Sequence, residues 1–413
     1  MMLKKLLIIG FVWPEPKSSA AGSRMMQLIE TFKSVNYSIT FASTSVKTEH
    51  AFNLEGIGIS QVKIELNHSS FDKFIKALSP DVVLFDRFMV EEQFGWRVAK
   101  QCPNACRVLD TEDLHFLRKG RYQAYKDEVH FNKSYLFNDI AKREIASIYR
   151  SDLSLVISEL EMEILKNDFK VDNTLLCYLP FMLDEIQKAM TEVLPKFEAR
   201  HYFIFIGNFL HEPNYNGVLY LKKTIWPLIK KKLPNAELHI YGAYTTQKLQ
   251  QLHNKNQGFL IKGFVEDANY VMQQARVCLA PLRFGAGLKG KLVDAMQNGT
   301  PCLMTSVAAE GMFGSLKVNG FIEDSPEGFA NKAVEMYKNE KLWDKKQQNG
   351  FYIINKRFTK EIYQKKFLSR LEETFTHLNG NRLNNFIGQM LQHHTMQSTK
   401  YMGKWIEEKN KII

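Results

Sequence analysis

The chain reads as an α/β protein built from two doubly wound, Rossmann-like domains that face each other across a cleft. Three observations predict this. Short apolar runs of strand length alternate with segments of helical spacing. The alternation stops at the charged, aperiodic stretch 187–200 and then begins again. Glycines or polar pairs follow many of the apolar runs, where strands of open α/β sheets end and ligands bind.

Leu6–Gly10 is a continuous apolar run, as for a strand covered on both faces. With the lysines before it, this run imitates a secretory leader. Pro14 and Glu15 follow, however, without a small-residue cleavage site, so a first buried strand is expected. A loop, Phe11–Ala21, leads to Gly22, Ser23 and Arg24 and then a helix from about Met25 to Phe32. Strands are expected at Ser38–Ala42, Asp81–Phe85 and Arg107–Leu109, with a helix over Phe71–Leu78. Asp86–Arg87 and Asp110–His115 are polar residues directly after strands, hence site candidates. Asp110 and Asp113 serve equally well as caps for a helix beginning near His115. That helix is expected to run to Tyr149, followed by strands at Leu153–Ser158 and Leu175–Leu179. The first domain is thus 1–186 and the linker 187–200.

The second series opens with the strand Tyr202–Ile206, ending in Gly207–Asn208, and a helix over Gly217–Lys232. The basic end of that helix, Lys230–Lys232, suits its C-terminal dipole and reads as a solvated face. Glu237–Tyr241 with Gly242, Phe259–Ile261 with Gly263 and Val265, and Val277–Leu282 are further strands with their exits. A helix is expected at Asp267–Gln274, and later ones at Pro326–Asn339, Lys341–Lys356 and Lys360–Leu378. The second domain is 201–378; the polar tail 379–413 is expected to be helical and to fold back on the first domain.

The stretch Ala280–Gly311 carries the strongest chemical signal. Its strand ends in Arg283 and the turn Gly285–Ala286–Gly287; a helix over Leu288–Met296 and a strand over Cys302–Met304 follow. A glycine turn opening a helix gathers free N–H groups and positive dipole, a seat for phosphate. Lys289 and Lys291 place full positive charge in the first turn, where cations are disfavoured unless an anion sits there. Asp294, a turn further on, is placed to accept from a ribose diol.

Composition bounds the partners. With 413 residues, 45% hydrophobic and 24% charged, the chain is of ordinary globular make-up and long enough for two domains. The formal net charge of +11 favours an anionic ligand or surface: nucleotide, phospholipid or nucleic acid. Nucleic acid is set aside, because no basic–aromatic recognition motif occurs. Five scattered cysteines suit a reducing cytoplasm, with the inner face of the plasma membrane left open as a peripheral location. No metal site is expected: Cys102–Cys106 has no second ligand pair, and the adjacent His393 and His394 do not share a helix face.

Taken in order, Phe205–Asn214 (FIGNFLHEPN), Leu238–Gly242 (LHIYG), Gly263–Asp267 (GFVED) and Ala280–Met312 resemble the glycosyltransferase family 4 group, glycosyl transferases group 1, of GT-B architecture. The resemblance covers about Met1 to Leu378. It implies that a nucleotide-diphosphate sugar is bound mainly by the second domain and that no further cofactor is needed. It implies a diphosphate bordered by Gly207, Asn208, Gly285 and Gly287 and held by Lys289 and Lys291, with Asn214, Gly242 and Arg283 also on the donor side. Val265 then meets the base and Asp294 the ribose. Gly22, Ser23, Arg24 and Asp113 fall on the acceptor side, and His115 near the transferred sugar. Three departures stand out. Where the family has paired acids eight positions apart, this chain has Ala286 and Asp294. The family's Arg and, six residues on, Lys are Asn208 and Asn214. The family's Pro–Asn–Gly is Pro180–Phe181–Met182.

The resemblance implies transfer of a sugar to a glycan or lipid-linked acceptor, with retention of configuration. The chain has no Asp-x-Asp pair, so metal independence is expected. Two other readings share the architecture: a nucleotide-sugar 2-epimerase-like isomerase, and a degenerate nucleotide-binding partner subunit.

Overall fold

The computed structural model describes residues 4–411, apart from the side chains of 394–397, so the side chain of His394 lies outside the described residues. Two parallel sheets organise the chain. The first contains β1 (Lys5–Gly10), β2 (Ser38–Ser43), β3 (Ser60–Lys63), β4 (Val82–Asp86), β5 (Cys106–Asp110), β6 (Leu153–Val156) and β7 (Leu176–Tyr178), in the order β3-β2-β1-β4-β5-β6-β7. The second contains β8 (Tyr202–Ile206), β9 (Leu238–Tyr241), β10 (Phe259–Gly263), β11 (Ala275–Ala280), β12 (Cys302–Met304) and β13 (Gly320–Ile322), in the order β10-β9-β8-β11-β12-β13. The strand order reverses beside β1 in one sheet and beside β8 in the other, which places both switch points on the cleft. This is the expected pair of doubly wound, Rossmann-like domains.

Several elements differ from the sequence reading, each for a local reason. The first helix runs Ala20–Ser34, not from Met25, because Ser19 caps it and accepts from the Gly22 amide. The long helix expected over His115–Tyr149 is two, His115–Lys126 and Asp139–Arg150, because Asn138 starts a new one by accepting from the Ile140 and Ala141 amides. No element was expected at β3, a half-exposed edge strand without an apolar run, or at the charged helix Phe88–Gln101. The helix behind the glycine turn is Gly290–Gln297, which makes Lys289 its N-cap.

The chain crosses between lobes twice, and the two crossings touch: the Leu183 amide donates to Phe358 O and the Lys360 amide to Leu183 O. Residues 360–378, grouped above with the second domain, therefore pack in the first. Phe367, Leu371 and Leu378 join Leu6, Leu28 and Phe32 in one apolar cluster. Helix Phe386–Asn410 continues over the same lobe, tied by Arg97–Glu407, while Arg382 ahead of it pairs with Asp152. Among the described residues all five cysteines are free, and no helix is long and apolar enough to cross a membrane.

Candidate functional site

Between the lobes lies a cavity of about 1300 Å³, lined from the first lobe by β1, β4 and β5 exits and from the second by β8, β9 and β11 exits. On the second-lobe wall two glycines let the strand ends meet. At Gly242, φ is +151°, and a Cβ would lie 1.8 Å from Gly207 O, so only glycine fits. Asn208 closes its turn by accepting from the Leu210 amide, and its carbonyl accepts from Asn214 Nδ2 at 2.8 Å. Where the family pattern has two cations, this pair of amides organises the loop.

Lys291 enters the wall from the helix's first turn. Its Nζ donates to Asn214 Oδ1 at 2.5 Å and lies 4.2 Å from the Phe205 ring centre. Lys289 Nζ donates to Ala286 O at 3.0 Å and Gly287 O at 2.6 Å. Both lysines are buried, at 7% and 8% exposure, and among the described residues neither ammonium pairs with a carboxylate. Burial draws the Lys291 ammonium down to about 7 and that of Lys289 to about 8, the latter partly offset by Glu310. Burial likewise lifts Asp294 to about 7 against the pull of Lys291. Asp294 and Val265 both line the cavity.

The first-lobe wall is denser in charge and more strained. Asp86, Arg87, Glu112, Asp113, His115 and Arg118 all line the cavity. Arg87 and Glu112 hold left-handed backbone conformations, with φ of +73° and +62°. Burial raises Asp86, more than Arg87 offsets, and burial with Asp110 nearby lifts Glu112 to about 8. For Asp113, burial works upward, but Arg118 and His115 outweigh it and hold the carboxyl well below its ordinary range. His115 Nδ1 is 3.2 Å from Asp113 O and 3.5 Å from Glu144 Oε1, with its ring edge-on to Phe88. Neither Asp110 nor Asp113 caps the helix that starts here. Glu144 takes the His115 and Phe116 amides, and Glu161 takes that of Leu114.

Not every candidate residue faces the cavity. Arg24 is 1% exposed and pairs with Asp110, donating also to Leu179 O; it is a core ion pair of the first lobe, not an acceptor-side group. Arg283 turns aside to Asn216 Oδ1 and lies between the Tyr125 and Tyr220 rings, so it adds no phosphate cation. Gly287 lines the cavity, yet its amide is taken by Glu161 Oε1 at 2.8 Å and so does not face a diphosphate. Gly22 lines the cavity, and the Glu15 backbone packs against it, 2.4 Å from where a Cβ would stand. Ser23 is beside it and donates to Pro16 O.

Residues that the sequence reading passed over tie the lobes together. Tyr244 OH donates to both Glu15 oxygens at 2.8 and 2.9 Å, Lys17 pairs with Glu266, and His50 stacks on Phe264 at 4.3 Å. On the opposite rim, Arg121 pairs with Glu310 and donates to Gly285 O. Glu161, Arg121 and Glu310 carried no sequence signal beyond being charged. Among the described residues no group of three or more His, Cys, Asp or Glu is arranged to hold a metal ion.

Residues 200–339, which include β8, β11 and both lysines, match the family model for glycosyl transferases group 1. Over these residues the second lobe is similar to the group 1 glycosyltransferases. The complete two-lobed fold is shared with solved glycosyltransferases of GT-B architecture. TarM superposes with a TM-score of 0.70 at 11% identity, over 90% of this chain and 99% of that one. Sucrose-phosphate synthase from Thermosynechococcus elongatus gives 0.65 at 14%, over 90% and 99%. The HepE protein of Anabaena, solved with UDP and glucose, gives 0.63 at 12%, over 90% and 100%. A longer S. aureus TarM chain, solved with fondaparinux, α-GlcNAc-glycerol and UDP, gives 0.57 at 15%; this chain covers 57% of its length. No curated protein matches the chain by sequence.

Proposed function

We propose that this protein is a retaining, metal-independent glycosyltransferase that moves a sugar from a nucleotide-diphosphate sugar to a hydroxyl of a glycan or lipid-linked acceptor. One observation carries the reading: two buried ammonium groups, without carboxylate partners among the described residues, stand in a cavity wall behind a glycine turn. An uncompensated buried cation is unfavourable unless an anion completes it, and a diphosphate supplies that anion. The helix that begins at Gly290 adds its N-terminal dipole.

In the reaction the bond from the anomeric carbon to the diphosphate breaks and a bond to the acceptor oxygen forms. The acceptor's proton passes to the departing phosphate oxygen. Negative charge grows on the diphosphate while the sugar ring becomes cationic. Lys289 and Lys291, already in place and shielded from water, stabilise that growing anion, and such preorganised charge is the strongest aid to catalysis this kind of site can give. His115 and Asp113 stand on the opposite wall, where the acceptor approaches. In this reading the protein works in the cytoplasm, at the inner membrane face if its acceptor is lipid-linked.

A thermal-shift panel of UDP, GDP, dTDP and ADP sugars tests the reading. One base series should raise the melting temperature, since a ligand at 100 times its Kd adds about 2.7 kcal/mol. The stabilising sugar should then be consumed only when an acceptor is added. Conversion of the donor without acceptor would favour the epimerase reading. Binding without any turnover would favour a degenerate partner subunit, and no shift with any nucleotide would refute all three.

A further inference from the structure

We infer that Glu161 is an interlobe positioning residue: its buried carboxylate clasps the Leu114 amide of the first lobe and the Gly287 amide of the second, and so sets where Lys289 stands. The catalytic part of this inference rests on the glycosyltransferase reading; the clasp itself does not.

Glu161 lies on helix Glu159–Asn167 of the first lobe and is 1% exposed. One oxygen, Oε1, accepts from Leu114 N at 3.0 Å and from Gly287 N at 2.8 Å. The other is buried and has no hydrogen-bond partner among the described residues. A carboxyl group taken wholly out of water with one oxygen unanswered is costly whether or not it holds its proton, so its presence marks a task that an apolar residue would not perform. Both ends of the clasp are informative. Leu114 lies between Asp113 and His115, the first lobe's cavity residues. Gly287 ends the turn whose carbonyls hold the Lys289 ammonium, at Ala286 and Gly287.

The turn behaves as part of the first lobe although the second lobe's chain supplies it. Ala286 packs into the first lobe's apolar cluster. Gly285 O accepts from Arg121 Nη1 at 2.8 Å, and Gly287 N donates to Glu161. A Cβ on Gly287 would stand 2.8 Å from Asp113 Cβ, and its φ is +65°. Three adjacent residues are thus fixed from across the cleft, and Lys289 inherits its position from two of them. Without Glu161 the Gly287 amide loses its acceptor, and the lysine's carbonyl seat loses one of its two polar anchors. Arg121 remains as the other.

The test compares Glu161→Ala, Glu161→Met and Glu161→Gln in the full chain. Small-angle scattering without ligand reads the lobe separation, and steady-state kinetics use the sugar nucleotide selected by the thermal-shift panel. Gln keeps one oxygen able to accept both amides, so it should match wild type in scattering and in kcat within about threefold. Ala and Met cannot accept. Both should enlarge the radius of gyration and lower kcat about 100-fold, the scale for displacing a catalytic group by about 1 Å. The donor KM should change less than threefold. A residue needed only for the stability of its own lobe would leave both kcat and scattering unchanged in whichever apolar variant folds. That result, or a Gln variant as impaired as Ala, overturns the inference. If wild type turns over no sugar nucleotide, the functional reading fails, and scattering alone still decides the clasp.

Discussion

The two walls of the cavity solve opposite electrostatic problems. The second-lobe wall holds Lys289 and Lys291 without carboxylate partners among the described residues, and burial pulls both toward neutrality. The first-lobe wall sets Asp86, Glu112 and Asp113 against Arg87 and Arg118, so its charges are largely answered from within. A wall that balances itself is suited to a neutral, hydroxyl-rich partner. A wall with unanswered cations needs its counter-charge brought by a ligand. In the proposed function this contrast puts the donor diphosphate on one side and the acceptor on the other.

The largest effect expected is on the unanswered side. Lys291→Ala should lower kcat by about 100-fold or more, as for loss of an electrostatic partner of the transition state. Near-wild-type kcat in a folded variant would remove Lys291 from the chemistry and level the contrast between the walls. On the balanced side, His115→Ala should reduce transfer by about 10- to 100-fold while leaving nucleotide Kd within about threefold. That is at or below the range for a full general acid or base. A rise in nucleotide Kd as large as the fall in kcat would instead put His115 on the donor wall.

A stability comparison sharpens the boundary between wall and scaffold. Gly242→Ala should lose several kcal/mol in chemical denaturation, because its Cβ would run into Gly207 O. At Gly58 a Cβ meets nothing within 4 Å, although φ is +80°, so Gly58→Ala should lose only about 1 kcal/mol. Equal losses would show that the strand exits do not need their close approach. The smallest effect is expected at Arg283. Because it faces Asn216 and two tyrosines, Arg283→Ala should change donor kcat/KM by less than about threefold. A loss comparable to Lys291→Ala would restore Arg283 to the phosphate site.

The same contrast explains what could be read from sequence. Apolar runs such as Leu6–Gly10 and Tyr202–Ile206 announce buried parallel strands, and the glycine turn before Lys289 announces the loop that leads into helix Gly290–Gln297 at the cavity wall. These signals are local in the chain. The first-lobe wall and the lobe contacts are made between distant residues: Arg121 meets Gly285 O, Glu161 meets Gly287, and Tyr244 meets Glu15. A buried glutamate on a helix looks in sequence like any solvated one, so Glu161 left no trace. Arg24 and Arg283 differ from the sequence expectation for the same reason. Their neighbours in sequence suggest a ligand, whereas their neighbours in space are Asp110 and Asn216.

Calorimetry at pH 8, in two buffers of different ionisation enthalpy, tests the assignment of the diphosphate most directly. Before a ligand binds, Lys291, drawn to about 7, is largely neutral at this pH, and Lys289, at about 8, is half so. A bound diphosphate raises both, so binding must draw protons from the buffer. The account predicts net uptake of about one proton or more per nucleotide-diphosphate sugar, reduced in Lys291→Ala. Binding with no proton uptake, or with the same uptake in the variant, would contradict it.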